Sequence, residues 1–157
     1  MARTYRFELT SRLAAPAPAL WRHATSMSGV NREFFPLLRM TSPPGLAGRD
    51  LADAPLGRPA FRSWILLFGL LPIDYDDLTF VAIDPPHGFQ ERSTMLTMRE
   101  WNHERRIAPA AGGCDLTDRI SCVPRVAALG PIQIVLFGLA FRLRHRNLRR
   151  LFGQGQP

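Results

Sequence analysis

The chain has 157 residues, 46% of them hydrophobic and 21% charged, which suits one domain with one core. The N-terminal MARTYRFELTSRL alternates polar and apolar residues and lacks the apolar run of a signal peptide. Neither apolar run, 64–72 nor 131–141, reaches the ~20 residues that span a bilayer, so a cytoplasmic location is expected.

Residues 4–13 predict a strand, because Tyr5, Phe7, Leu9 and Ser11 alternate with Arg6, Glu8, Thr10 and Arg12. Pro16 to Met27 reads as a helix with Leu20, Trp21 and Ala24 as its apolar stripe. Asn31 is the expected N-cap of a second short helix that Pro36 closes, and 37–40 begins another strand. Residues 42–60 hold four Pro and three Gly without periodicity. They are expected to form a mobile loop at a binding site. Strands are then expected at 61–71, 74–84, 89–96, 98–108 and 114–123, separated by turns such as Pro85-Pro86-His87-Gly88 and the PAAGG of 109–113. Gly130 to Phe152 is the long helix, with Pro131 in its first turn and Gly153 beyond its end. The last residues, 153–157, are expected to be a disordered tail.

Charge is unevenly spread. All 20 basic residues are arginine, and no acid follows Asp118. The formal +7 therefore belongs to residues 119–157. A weak association with anionic surfaces through Arg142, Arg144, Arg146, Arg149 and Arg150 is one reading; nucleic acid is not expected. The other reading is a solvated helix end whose cations complement the helix dipole. Cys114 and Cys122 fall on one face of one strand about 26 Å apart at ~3.3 Å per residue, too far for a disulfide. Two buried thiols are expected.

One strand, two short helices, six strands in hairpin succession and one long helix predict an α+β fold with an antiparallel sheet. This seven-stranded sheet would curve around the long helix and grip its apolar half, leaving a cavity. The order resembles the helix-grip fold of the SRPBCC superfamily, which includes START lipid-transfer domains, birch-pollen-type allergens and aromatic polyketide cyclases. Local residues resemble its bacterial members: Pro85, Pro86 and Phe89 at a turn, then Trp101 and His103. Further on come Gly112 or Gly113 followed by Asp118, Pro124, and a basic tail with Phe141, Arg142, Arg144, His145, Arg146, Leu148 and Phe152. The Leu71-Pro72-Ile73 corner also fits, although Tyr75 stands where many members carry Trp. The resemblance implies a single START-like domain with a ligand cavity, without implying one activity.

Phase along the strands nominates the site. Asp118 lies in phase with Cys114, Leu116, Ile120 and Cys122, which puts a carboxylate on the apolar face. Arg99, Trp101, His103, Arg105 and Ile107 share a face of the preceding strand. Facing side chains of adjacent strands lie ~4.5–5.5 Å apart, so His103 and Asp118 can pair. A carboxylate orients an imidazole for general acid–base work, and the same pair can also be purely structural. Trp64, Phe68, Phe80, Arg99, Trp101, Leu116, Leu136, Gly138 and Leu139 are the expected ligand-binding residues, with Ser63, Thr79 and Ser93 as neutral polar groups.

His23 is expected at the surface or a cap, His87 in a turn and His145 in the basic tail. Asp74, Asp76 and Asp77 form an acidic cluster without the spacing of a calcium loop. No zinc-site spacing and no nucleotide-binding glycine motif is present, so no metal and no cofactor is expected. Three functions follow. The first is non-catalytic binding of a hydrophobic or amphipathic small molecule, lipid- or polyketide-like. The second is a metal-free cyclase or dehydratase using His103 and Asp118, with Arg99 polarising a carbonyl. The third is docking on an anionic surface, which requires an exposed apolar face.

Overall fold

The computed structural model describes residues 3–46 and 48–155. Eight strands and three helices follow in the order β1 (Tyr5–Leu13), α1 (Ala17–Ala24), α2 (Met27–Phe34), β2 (Leu38–Met40), β3 (Phe61–Leu67), β4 (Leu71–Leu78), β5 (Phe80–Asp84), β6 (Gly88–Met95), β7 (Met98–Ala110), β8 (Gly113–Pro124) and α3 (Gly130–Phe152). The sheet is antiparallel, in the order β1-β8-β7-β6-β4-β3-β2, with β5 also paired to β6. It curls around α3, and this is a helix-grip fold.

Local chemistry explains most boundaries. Ser26 caps α2 by accepting from the Gly29 amide at 3.0 Å. The cap expected at Asn31 is therefore wrong: its side chain instead bonds the Met40 backbone, accepting at 2.7 Å and donating at 3.0 Å. The expected strand 74–84 is two strands, which makes the sheet eight-stranded. The break falls at Thr79, whose amide turns to the Ser93 hydroxyl, so that β4 pairs with one end of β6 and β5 with the other.

The loop of 42–60 carries two short 3₁₀ turns, at Pro44–Leu46 and Leu51–Asp53. The Leu51 amide is bonded to Thr25 and the Gly57 amide to Phe80; Ala47 lies outside the described residues. Of the expected tail, Gly153 to Gly155 run beside the end of β1, with Gln154 bridging Leu13. Gln156 and Pro157 lie outside the described residues. The two cysteines are free and buried, as expected, and burial pushes the Cys122 thiol up to about 11.

The sheet grips only one side of the apolar half of α3, where Ile134 and Phe137 pack against the cluster around Trp101. Ile132, Val135, Leu136 and Leu139 are half or more exposed, while the buried side chains of the helix concentrate later, at Ala140, Phe141, Arg144, His145 and Leu148. By length and composition, Ala127–Phe152 could cross a bilayer. Here its second half is instead built into the domain, by polar as much as apolar contacts.

Candidate functional site: a cavity between two charged clusters

Beneath α3, a cavity of about 630 Å³ separates the helices from the sheet. Its wall is mostly apolar: Trp21 and Phe34 from the short helices, Ile65 from β3, Leu78 from β4, Trp101 from β7, and Phe137 and Phe141 from α3. Leu51 and Ala52 of the 42–60 loop complete one side. Ile73, Leu136 and Leu139 line the cavity and are also 43–58% exposed, which marks its mouth.

On one side lies a closed ionic network. His103 and Asp118 do meet, at 2.8 Å from Nε2 to Oδ1. They are not opposite each other in register: His103 faces Ile120, and the residue facing Asp118 is Arg105. Arg105 donates to both Asp118 oxygens at 2.8 Å and to both Glu33 oxygens at 2.9 Å. From α3, Arg144 donates to Glu33 at 2.8 Å and His145 Nε2 lies 3.0 Å from Asp118 Oδ2. His145 Nδ1 in turn meets the Ser11 hydroxyl at 2.8 Å, which accepts from Arg149 at 2.7 Å.

Glu33, Asp118, Arg105 and Arg144 are buried, with Arg149 half-buried at the edge of the network. Burial alone would raise the carboxyls, yet Arg105 and Arg144 hold Glu33, and Arg105 and His103 hold Asp118, well below the ordinary carboxylate range. Being ionised, Asp118 can only accept, so Nε2 of each histidine donates to it. Four hydrogen bonds from three residues use all four of its acceptor directions. Two carboxylates balance the two guanidiniums of Arg105 and Arg144, and every carboxylate oxygen of the set already accepts a hydrogen bond.

The second cluster has the opposite character. Asp74 and Asp76 on β4 and Glu91 on β6 line the cavity, each no more than 6% exposed. Asp74 is held by the Thr97 hydroxyl at 2.5 Å and the Tyr75 amide at 2.8 Å. Glu91 accepts from Ser93 at 2.7 Å and has His103 Nδ1 3.5 Å away. Asp76 Oδ1 has no hydrogen-bond partner. Burial first, then the Glu91 carboxyl, pushes Asp76 well above the ordinary carboxylate range. Burial also raises Asp74, against the Thr97 bond. Among the described residues no arginine forms an ion pair with any of the three. Among the described residues no group of His, Cys, Asp and Glu is arranged to hold a metal.

Of the expected ligand-binding residues, Phe80, Trp101, Leu136 and Leu139 line the cavity. Five others lie elsewhere. Trp64 is on the outer face of β3, edge-on to Tyr75 at 5.4 Å, because Phe61, Ser63 and Ile65 take the inner face. Phe68 sits 66% exposed in the turn after β3. Arg99 is at a bulge between Met98 and Glu100, which throws it outward. Leu116 packs in the separate core with Leu13, Leu20 and Leu148, and Gly138 faces open space.

Ser63 and Ser93 are buried but bond Thr41 and Glu91, and Thr79 bonds the Asp77 carbonyl, so none stands on the cavity wall. Arg144 and His145, expected in a solvated tail, are buried network members. His23 is also largely buried, 3.3 Å from Glu33 without hydrogen-bond geometry.

The missed carboxylates left a signal. Asp74 and Asp76 share strand phase with buried Leu78, Glu91 shares it with Ser93 and Met95, and Arg105 shares it with Trp101. Glu33 had none beyond its place beside Phe34.

Solved structures share this fold. Protein CV1439 from Chromobacterium violaceum aligns at TM-score 0.70 and 15% identity, covering 94% of this chain and 96% of that one. Ara h 8.0201 aligns at 0.57 and 10%, covering 93% and 98%. CalU16 from Micromonospora echinospora aligns at 0.54 and 14%, covering 98% of this chain and 70% of its own. No curated protein matches. The sequence itself matches, over residues 11–152, the family described as a domain of unknown function, DUF8410, and the chain belongs to that family.

Proposed function

We propose that this protein binds a small, largely apolar molecule in the cavity under α3. The observation that carries the reading is the cavity itself: about 630 Å³, walled by aromatic and aliphatic side chains, with polar groups confined to a few positions. Pockets of that size and lining are suited to such ligands. DynU16, from the dynemicin biosynthetic locus, aligns at TM-score 0.55 and 15% identity, with this chain spanning 49% of its length. That likeness is in keeping with a lipid- or polyketide-like ligand.

Trp21 and Trp101 both line the cavity, so titration with decanol followed by tryptophan fluorescence tests binding directly. Saturable quenching is expected, and it should vanish in Met40→Trp, which fills part of the cavity without touching the ionic network. Unsaturable, nonspecific quenching in both proteins would sink the reading.

A second reading, a metal-free cyclase or dehydratase, has one observation in its favour. His103 lines the cavity, and Asp118 anchors its Nε2 so that Nδ1 is directed towards Glu91. In that reading His103 touches substrate and moves the proton, while Asp118 is a positioning residue. Arg99 has no part in it. His103→Gln should abolish turnover of a poly-β-carbonyl substrate while decanol still binds. Unchanged turnover would remove His103 from any chemistry.

A further inference from the structure

We infer that the cavity's ligand is an amine, a basic nitrogen on an apolar body, and that Asp76 and Glu91 receive the nitrogen. The inference rests on the binding reading above and adds the chemistry of the ligand's head. Three carboxyls line one side of the wall: Asp74 and Asp76 from β4, and Glu91 from β6. The charged groups facing them from other elements are His103 on β7 and Arg144 on α3. Arg144 is committed to Glu33 and lies over the Phe34 and Phe141 rings, and His103 is anchored on Asp118.

The Asp76–Glu91 pair therefore lacks a guanidinium partner. Asp76 is 4% exposed, yet its Oδ1 accepts nothing. A buried acceptor without a donor is costly unless a bound group supplies one. Gln133 Oε1, on the same cavity wall, is likewise unpartnered. An ammonium carries three donors and the missing positive charge. A carboxylate ligand would meet like charge, and an alcohol or ketone would leave the charge uncompensated.

The test is calorimetric titration of the whole chain with decylamine, decanol and decanoate at neutral pH. Decylamine is expected to bind ~10–100-fold more tightly than decanol, the range of a charge-assisted hydrogen bond, and decanoate more weakly than either. Asp76→Asn and Glu91→Gln keep the shape of the wall and should each abolish the preference for decylamine over decanol, read as the ratio of the two affinities. Equal affinity for amine and alcohol overturns the inference but leaves the binding reading intact, as does an amine preference that survives both variants. If none of the three probes binds, the binding reading itself falls.

A separate observation carries a second inference. The outward face of α3 presents Ile132, Val135, Leu136 and Leu139, each 50–60% exposed. One turn further on, the same face presents Arg142, Arg146 and Arg150, four residues apart and exposed. None of these arginines is in an ion pair among the described residues. Phe68 and Leu70 in the turn between β3 and β4, and Leu71 at the start of β4, are 59–85% exposed and lie close in the chain to Ile73 at the cavity mouth.

An apolar patch continued by cations matches an anionic bilayer, whose acyl region takes the first and whose phosphates take the second. We infer that α3 docks on such a surface with the cavity mouth beside it. Co-sedimentation with phosphatidylcholine vesicles containing phosphatidylserine should capture the protein, and phosphatidylcholine alone should not. Both Ile132→Ser/Val135→Ser and Arg142→Glu/Arg146→Glu should release it. Capture that is indifferent to phosphatidylserine overturns the inference. So does a concentration-dependent dimer in size-exclusion chromatography that Ile132→Ser/Val135→Ser abolishes, because a second copy would then cover the face.

Discussion

Two groups of buried charge flank one cavity, and they are built on opposite rules. Around Arg105, each carboxylate oxygen of Glu33 and Asp118 has a donor, and two negative charges meet two positive ones. Around Asp76, three carboxyls stand together without a guanidinium, and one oxygen has no partner. On the proposed reading, the difference separates structure from function. The charge-balanced network ties α2, β7, β8 and α3 together, its carboxylates already paired within the protein. An unsaturated one carries an unmet electrostatic demand that a bound molecule can satisfy. His103 touches both, with Nε2 on Asp118 and Nδ1 towards Glu91.

The contrast can be broken most severely at Arg105. Arg105→Met leaves Glu33 and Asp118 buried without their shared cation. It should cost about 3–5 kcal/mol, the range for removing one partner of a buried pair, read as a lowered urea midpoint. If the midpoint hardly moved, the network would not hold the elements together.

Acid should act on the same side. Glu33 and Asp118 have folded pKa values below their unfolded ones, so the stability they contribute is complete above about pH 4.5 and is lost as pH falls below it. Arg105→Met should flatten that acid limb in denaturation curves measured across pH.

Asp76 has the opposite sign. Its folded pKa lies above the unfolded one, so stability is lost as pH rises from about 4 through the raised folded value. Asp76→Asn should therefore stabilise the protein near neutral pH and have little effect near pH 3. Destabilisation at neutral pH would mean that the carboxyl is satisfied after all. The smallest effect is expected outside the cavity: Trp64→Ala and Phe68→Ala should leave decanol affinity within about twofold of the parent, measured by the same titration.

The sequence was most informative where one force dominates. Alternation found β1, β7 and β8, and Pro and Gly located the turns that bound these and the other strands, because half-buried strands must show period two. The helix of Gly130–Phe152 was legible to the residue, since Pro131 and Gly153 bracket it. The pairing of His103 with Asp118 was legible as a possibility because both lie in phase with apolar neighbours. Phase fails at irregularities. The bulge beside Arg99 turned that residue outward, the break at Thr79 divided one expected strand into two, and Trp64 was misplaced because β3 is apolar on both faces.

By itself the sequence determined the α+β class, the order of elements, the two unpaired cysteines and the presence of charge on inward strand faces, all of which depend on local pattern. Only the tertiary structure decided which charges neutralise which. Glu33 lies 72 residues from Arg105 and 111 from Arg144 along the chain, and no local pattern carries a contact of that range. The same holds for α3. Its composition suggested an apolar half buried in the sheet and a basic half in water. Packing buried Arg144 and His145 and left Ile132, Val135, Leu136 and Leu139 half or more exposed, because the ion network, as much as hydropathy, sets which part of the helix the domain encloses.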